Sequence, residues 1–238
     1  MTRSDDLREV AERVAAALPS ASDIILTGST SRGAADELSD IELLVVAEEV
    51  PDVLPLDGLD TWSPGPPIHW FGGSFDGEFV ELIWWPRHYV DERVRAIAAG
   101  EIVDHARLRT AEAIVNGVPL RGEGHAQWSK QLAAYPDGLA EKIVADASAT
   151  FRDTDAQVRG VQRAGDALVL AQKVCEYAED FLRIVFARNR VWEPGWKRLP
   201  QRLEPLAVKP ERLAERLDEA VRALDLAALH RLADEALA

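Results

Sequence analysis

Cysteine is almost missing from this chain of 238 residues: Cys175 stands alone, which excludes a disulfide scaffold and a four-cysteine zinc site. Lysine is missing from the whole first half, where residues 1–118 hold 9 Arg and no Lys against 22 acidic residues, a net of -13. The remaining 120 residues come close to neutrality, with 18 basic and 19 acidic side chains. No apolar run approaches the about 20 residues that cross a bilayer, and the opening Met-Thr-Arg-Ser-Asp-Asp lacks the apolar core of a secretory signal. The expected compartment is therefore the cytoplasm, with no membrane partner. Repeats and low-complexity tracts are absent too. What is present is ample material for a core: 47% hydrophobic residues at a mean hydropathy of -0.14, which excludes disorder as the main state.

The overall charge of -14 disfavours a polyanion as main partner, since phosphate-backbone binding rests on Lys and Arg. Nucleic acid is not expected. Such a field suits cations instead: metal ions, or a polyamine-like or aminoglycoside-like small molecule.

The pattern changes along the chain. Asp5 to Leu18 reads as an amphipathic helix capped by Ser4 or Asp5, with Leu7, Val10, Val14 and Leu18 on one face. Asp23–Thr27 and Ile41–Val46 read as short buried strands, the second apolar except for Glu42. Pro51 to Pro67 reads as a long loop, and Ile68–Phe71 with Glu78–Trp84 as a hairpin around Gly72–Gly77. A helix is predicted over 89–99. Beyond Gly117 nearly everything has helical period: 127–134, 139–150, 160–189, 211–223 and 226–237. In the long helix Val161, Leu168, Val174, Cys175, Phe181, Leu182 and Val185 mark the apolar face. These patterns predict an α/β N-terminal domain over 1–118, with a mixed sheet and flanking helices, followed by an all-α helical bundle over 119–238.

Chemistry concentrates in Leu26-Thr-Gly-Ser-Thr-Ser-Arg-Gly-Ala-Ala-Asp-Glu-Leu-Ser-Asp-Ile-Glu-Leu-Leu44. Positions i and i+2 of a strand share a face, so Asp40 and Glu42 stand side by side while Ile41 and Leu43 turn away. Neighbouring carboxylates repel unless a cation lies between them, and Mg²⁺ or Mn²⁺ is the natural occupant of an oxygen donor set. Backbone N–H groups of the Gly28-Ser29 turn suit a phosphate, with Arg32 close by. Ser29 also suits a helix cap, and Arg32 an ion pair with Asp36. Other motifs fail: Gly28 to Gly33 has the Walker spacing, but Ala34-Ala35 stand where Lys-Ser/Thr belongs. There is no G-x-G-x-x-G, and Gly28-Ser29-Thr30-Ser31 is no nucleophile elbow.

Thr27-Gly28-Ser29, Arg32-Gly33 and Ser39-Asp40-Ile41-Glu42-Leu43 resemble the signature of the DNA polymerase β-like nucleotidyltransferase superfamily, in its small aminoglycoside and lincosamide branch. Asn189-Arg-Val-Trp-Glu-Pro-Gly-Trp-Lys197 resembles an Asn-x-x-aromatic-x-Pro-x-x-Lys element of uncharacterised relatives. The resemblance implies a third metal carboxylate from a later strand. Glu81 fits that place, with Asp76 and Glu78 nearby. It implies Asp40, Glu42 and Glu81 as catalytic metal ligands, and Gly28, Ser29, Arg32 and Lys197 as triphosphate contacts. It further implies ATP or another nucleoside triphosphate as donor, and a hydroxyl of a small, cationic acceptor as recipient. Other readings under the same resemblance are a toxin-type enzyme acting on protein or tRNA, and a non-catalytic nucleotide-binding or antitoxin-like protein. Trp62, Trp70, Trp192 and Trp196 serve either as core filling or as stacking surfaces.

Overall fold

The computed structural model describes residues 2–49, 51, 54, 56–65, 67–152, 160 and 167–238, the side chains of 61–65 excepted. The chain divides into two compact units: residues 1–99 with 110–134, and residues 100–109 with 135–238.

The first unit opens with helix α1 (Arg3–Ala16). Its N-cap is Thr2 rather than Ser4 or Asp5: Thr2 and Asp5 form a reciprocal capping box, satisfying two backbone donors at once. Ser4 lies inside the helix, buried, and accepts a hydrogen bond from the Ala35 N–H at 3.0 Å. Strands β1 (Asp23–Leu26) and β2 (Ile41–Ala47) follow, with the single turn of helix α2 (Gly28–Ser31) between them. Then come β3 (Leu59–Gly65), β4 (Ile68–Phe75) and β5 (Glu78–Pro86).

The stretch expected as a loop from Pro51 to Pro67 thus contains a strand. Pro64 is tolerated because β3 is the sheet's edge, where a missing N–H costs no ladder bond, and the register shifts between Thr61 and Ser63. The β4–β5 hairpin is present with longer arms than expected. It turns at Asp76-Gly77, both at positive φ (52° and 84°), the backbone of a tight turn matched to strand twist.

Helix α3 (Arg87–Ala98), the part of helix α4 (His105–Val115) from Thr110 on, strand β6 (Val118–Arg121) and helix α5 (Gly124–Leu132) complete this unit. The boundary at residue 118 drawn from charge and texture falls inside the first unit, because β6 pairs with β1. Neither α4 nor β6 was anticipated. Leu108, Ala111 and Ile114 carry a helical spacing, but β6 has four residues with Pro119 among them, too little for a strand pattern.

The sheet order is β3-β4-β5-β2-β1-β6, with β2 and β5 parallel and the other neighbours antiparallel. One face packs on α1: Leu7, Ala11 and Val14 meet Ile24, Leu26, Ile41, Leu43, Val45, Val80, Leu82 and Trp84, all fully buried. Each such side chain contributes about 1.5–3 kcal/mol by leaving water. Ile25, Leu44 and Val46 on the opposite face are buried as well, so β1 and β2 are apolar on both sides except at Asp23 and Glu42.

The second unit's regular elements, among the described residues, are all helical: α6 (Leu139–Ala147), a 3-10 turn (Ser148–Phe151), α7 (Ala167–Arg188), α8 (Leu199–Leu203), α9 (Leu213–Arg222) and α10 (Leu226–Leu237). Val174, Phe181, Leu182 and Val185 of α7 form the core with Leu203, Leu217, Leu229 and Leu232. Leu168 and Cys175, expected on that face, are exposed, Leu168 by 79%. They lie seven residues apart along the edge of the buried stripe, which takes in only the next member, Leu182. Val161 lies outside the described residues. No described helix is long and apolar enough to cross a membrane.

Candidate active site

The Gly28 turn sits where β1 hands over to α2, and two threonines tie it to β2. The Thr27 N–H and hydroxyl both donate to the Glu42 carbonyl, at 2.9 and 3.2 Å, and the Thr30 hydroxyl donates to the Asp40 carbonyl at 3.2 Å. Ser31 closes the turn by donating to the Gly28 carbonyl at 3.0 Å. Gly28 itself has φ +69°, and a Cβ there would fall 2.5 Å from Glu42 Oε2. Glycine is therefore required twice, for the left-handed backbone and for the approach of a carboxylate.

Asp40 and Glu42 take the same face by alternation, as their spacing predicts. The parallel register of β2 and β5 sets Glu42 directly beside Glu81. One carboxylate oxygen from each of Asp40, Glu42 and Glu81 lies within 4.8 Å of the other two, and all three side chains are half-buried. The competing acids are engaged elsewhere. Glu78, one pleat away and on the α1 face, forms a two-bonded pair with the Arg3 guanidinium (2.8 and 2.6 Å), which holds its carboxyl below the usual range. Asp76 pairs with Arg13 at 2.8 Å.

Three carboxylates converging at this distance repel one another, and the donor set is all oxygen and half open to solvent. Such a set fits a hard divalent cation, Mg²⁺ or Mn²⁺, better than a soft metal. Beside it, Arg32 stands 3.5 Å from Glu112, whose carboxylate also accepts from Asn116 Nδ2 at 3.3 Å. Ser29 is half-buried, and its carbonyl accepts from the N–H groups of Arg32 and Ala34. Lys197 belongs to the second unit, where it is exposed on the segment between α7 and α8.

That segment holds a pair that sequence spacing gave no reason to join. His105 Nδ1 lies 2.8 Å from Glu193 Oε2, and Glu193 is only 6% exposed, with its Oε1 buried and without a hydrogen-bond partner among the described residues. Burial raises the Glu193 pKa, the neighbouring His105 working against it. The His105 ring stacks on Trp196 at 6.2 Å, and Trp192 is buried against Tyr135 at 4.7 Å, so Trp192 fills core. Trp70 and Trp196 are exposed, and the Trp62 side chain lies outside the described residues.

Residues 7–106, which carry the three carboxylates, match the family described as nucleotidyltransferase domain. Residues 106–199, including the His105-adjacent helix and the segment through Lys197, match a second family, described as a domain of unknown function, DUF4037. No curated protein matches the chain. Among solved structures, a nucleotidyltransferase-like protein from Exiguobacterium sibiricum 255-15 is similar over 98% of this chain and 71% of its own, at 14% identity and a TM-score of 0.40.

Proposed function

We propose that the protein is a Mg²⁺-dependent nucleotidyltransferase that moves a nucleoside monophosphate from ATP, or another nucleoside triphosphate, to a hydroxyl of a small cationic acceptor of aminoglycoside-like kind. The observation that carries this reading is the convergence of Asp40, Glu42 and Glu81 within 4.8 Å, beside a Gly28 whose left-handed backbone and close approach to the Glu42 carboxylate both favour glycine. The three carboxylates would hold the divalent ion, which when bound neutralises phosphate charge and acidifies a nearby hydroxyl. The Gly28-Ser29 backbone and Arg32 orient the triphosphate. Glu81, contributed by β5, receives the proton of the acceptor hydroxyl as the hydroxyl oxygen bonds to the α-phosphorus and pyrophosphate departs. The acidic charge of the first half favours an amine-bearing acceptor over a nucleic acid.

The test is incubation with labelled nucleoside triphosphates, Mg²⁺ and a panel of amine-bearing and neutral polyols, scored by mass shift. Transfer to an aminated acceptor is expected. Asp40→Asn and Glu42→Gln should each lower it on the order of a thousandfold without lowering the metal-free unfolding midpoint. Near wild-type turnover in both variants would falsify the mechanism.

A further inference from the structure

Between α7 and α8 the chain runs from Arg190 to Arg198 without helix or strand. Non-glycine residues at positive φ stand at both ends, Arg190 at 52° and Arg198 at 59°. Such backbone persists only where the surroundings hold it. The near end is tied by Asn189, whose side-chain amide donates to the Val185 and Val208 carbonyls at 2.8 and 2.7 Å. Further along, Trp192, Glu193 and Pro194 are buried, and a Cβ on Gly195 would fall 2.9 Å from the Arg109 guanidinium. His105, at the start of α4, meets this segment twice. Its Nδ1 lies 2.8 Å from Glu193 Oε2, and its ring stacks on Trp196.

Glu193 brings a carboxyl group into this packing with one oxygen, Oε1, that has no hydrogen-bond partner among the described residues. The titratable and charged groups around it come from several elements. From α4 come His105 and, against Gly195, Arg109; from α7 come Arg183 and Glu179. Tyr135, ahead of α6, feels the Glu193 charge together with those of Glu141 and Arg190. Arg183 is already bonded to Asp146 and Asp180 at 2.6 and 2.7 Å and to the Val103 carbonyl, and Glu179 opposes a second negative charge. His105 is thus the contact that can offset a charge on Glu193, and it does so only while protonated. A neutral imidazole can keep one N–H on Oε2, but it leaves a buried anion with its other oxygen bare. Burial accordingly raises the Glu193 pKa, with His105 working against it, and burial and then the Glu193 charge raise that of Tyr135.

We propose that Arg190–Arg198 is a strap released by loss of a proton: it stays closed while His105 and Glu193 hold that proton between them, and lifts from His105 and Tyr135 once Glu193 must carry its charge uncompensated. Water then reaches both Glu193 oxygens, which removes the cost of the buried charge. The sign follows from the direction of the Glu193 shift. Closure is complete below the ordinary glutamate range and weakens as pH climbs through the closed-state value. Because the two groups share a contact, the midpoint of release belongs to the pair. On release Trp192 leaves its place against Tyr135, and Lys197 travels with the segment. Neither His105 nor Glu193 belongs to the three-carboxylate cluster, so the strap is independent of the transferase reading.

Its test is fluorine NMR on the full chain carrying 5-fluorotryptophan. Trp192→Phe assigns the Trp192 resonance, and Trp84→Phe assigns that of the fully buried Trp84 as the control. The quantity read is the H₂O/D₂O solvent isotope shift of each resonance, which reports contact with water, between about pH 5.5 and about pH 8.5. In wild type the Trp192 value should rise at least about threefold across this range while Trp84 stays constant. Glu193→Gln keeps the shape without the charge and should hold Trp192 buried throughout. His105→Gln removes the counter-charge and should enlarge the rise. Adding Glu193→Gln to His105→Gln should abolish it, a rescue that separates a lost counter-charge from damaged packing. A flat Trp192 value in wild type overturns the strap, as does an equal rise in Glu193→Gln. Parallel rises of Trp192 and Trp84 mark loosening of the whole chain and overturn it too.

Discussion

Gly28 shows how one residue type can be fixed by two separate demands. Its φ of +69° costs any L side chain about 1–2 kcal/mol, and the Cβ of such a residue would press on the carboxylate of Glu42. Gly28→Ala should therefore lower the unfolding midpoint by roughly 2–8 °C. It should also weaken Mn²⁺ at least tenfold, because Glu42 must move to make room; a thermal melt and a Mn²⁺ titration on the same sample check both. Glu193 makes the opposite kind of statement. Its pKa is raised by burial above the ordinary 4.5 of a glutamate, so the folded protein holds that proton more tightly than the unfolded chain. Stability from this source is complete below about pH 4.5 and is lost as pH climbs through the folded-state value. Glu193→Gln removes the loss. Its midpoint should rise relative to wild type between pH 4 and pH 8, and melting curves that stay parallel across that range would refute the assignment.

Among the elements, the parallel pairing of β2 with β5 decides which acid joins the site. Glu78 and Glu81 sit three residues apart in one strand and end on opposite faces, one on Arg3 and one beside Glu42. The two should separate cleanly by substitution. Glu78→Gln is expected to cost up to about 1 kcal/mol, the range of a half-exposed ion pair, and to leave Mn²⁺ affinity unchanged. That cost is present above the ordinary glutamate pKa and fades as acid protonates Glu78, whose folded pKa is depressed by Arg3. Glu81→Gln should do the reverse: Mn²⁺ affinity falls, while the metal-free midpoint holds or rises because one of three repelling charges is gone. Chemical denaturation at pH 7 and pH 4, paired with Mn²⁺ titration, distinguishes the pair.

For the whole molecule, the first unit depends on residues that lie beyond the change in sequence texture. Strand β6 covers the outer edge of β1, and Arg121 donates to the carbonyls of Leu18 and, at 2.7 Å, of Ala15. The Gly124 N–H donates to the fully buried carboxylate of Asp23 at 2.6 Å, Arg87 supplying its charge partner, and the buried Trp128 donates to Asp91 at 2.7 Å. A chain ending at residue 118 leaves Asp23 short of a donor and a fully buried strand with an open edge. It should aggregate or melt without cooperativity, whereas a chain ending at residue 134 should show a cooperative transition by circular dichroism. Equal behaviour of the two fragments would place the boundary at 118 after all.

Much of the site was legible because its signals are local. The two-residue spacing of Asp40 and Glu42, the Gly-Ser turn before them and the apolar strand after them are consequences of neighbouring residues, and a strand's period of two places both carboxylates on one face in any fold. The helical texture of the second half was equally local, carried by Val174, Phe181 and Val185 at helical spacing. What the sequence left open was non-local. Glu81 rather than Asp76 or Glu78 completes the cluster because of a strand register, and a shift of one residue would have turned Glu81 away. The pairing of His105 with Glu193, and the recruitment of Val118–Arg121 to a sheet begun at Asp23, join residues whose separation along the chain carries no pattern at all. Composition and period set what each segment can be; only packing, by burying some faces and bringing distant strands into register, set which side chains meet.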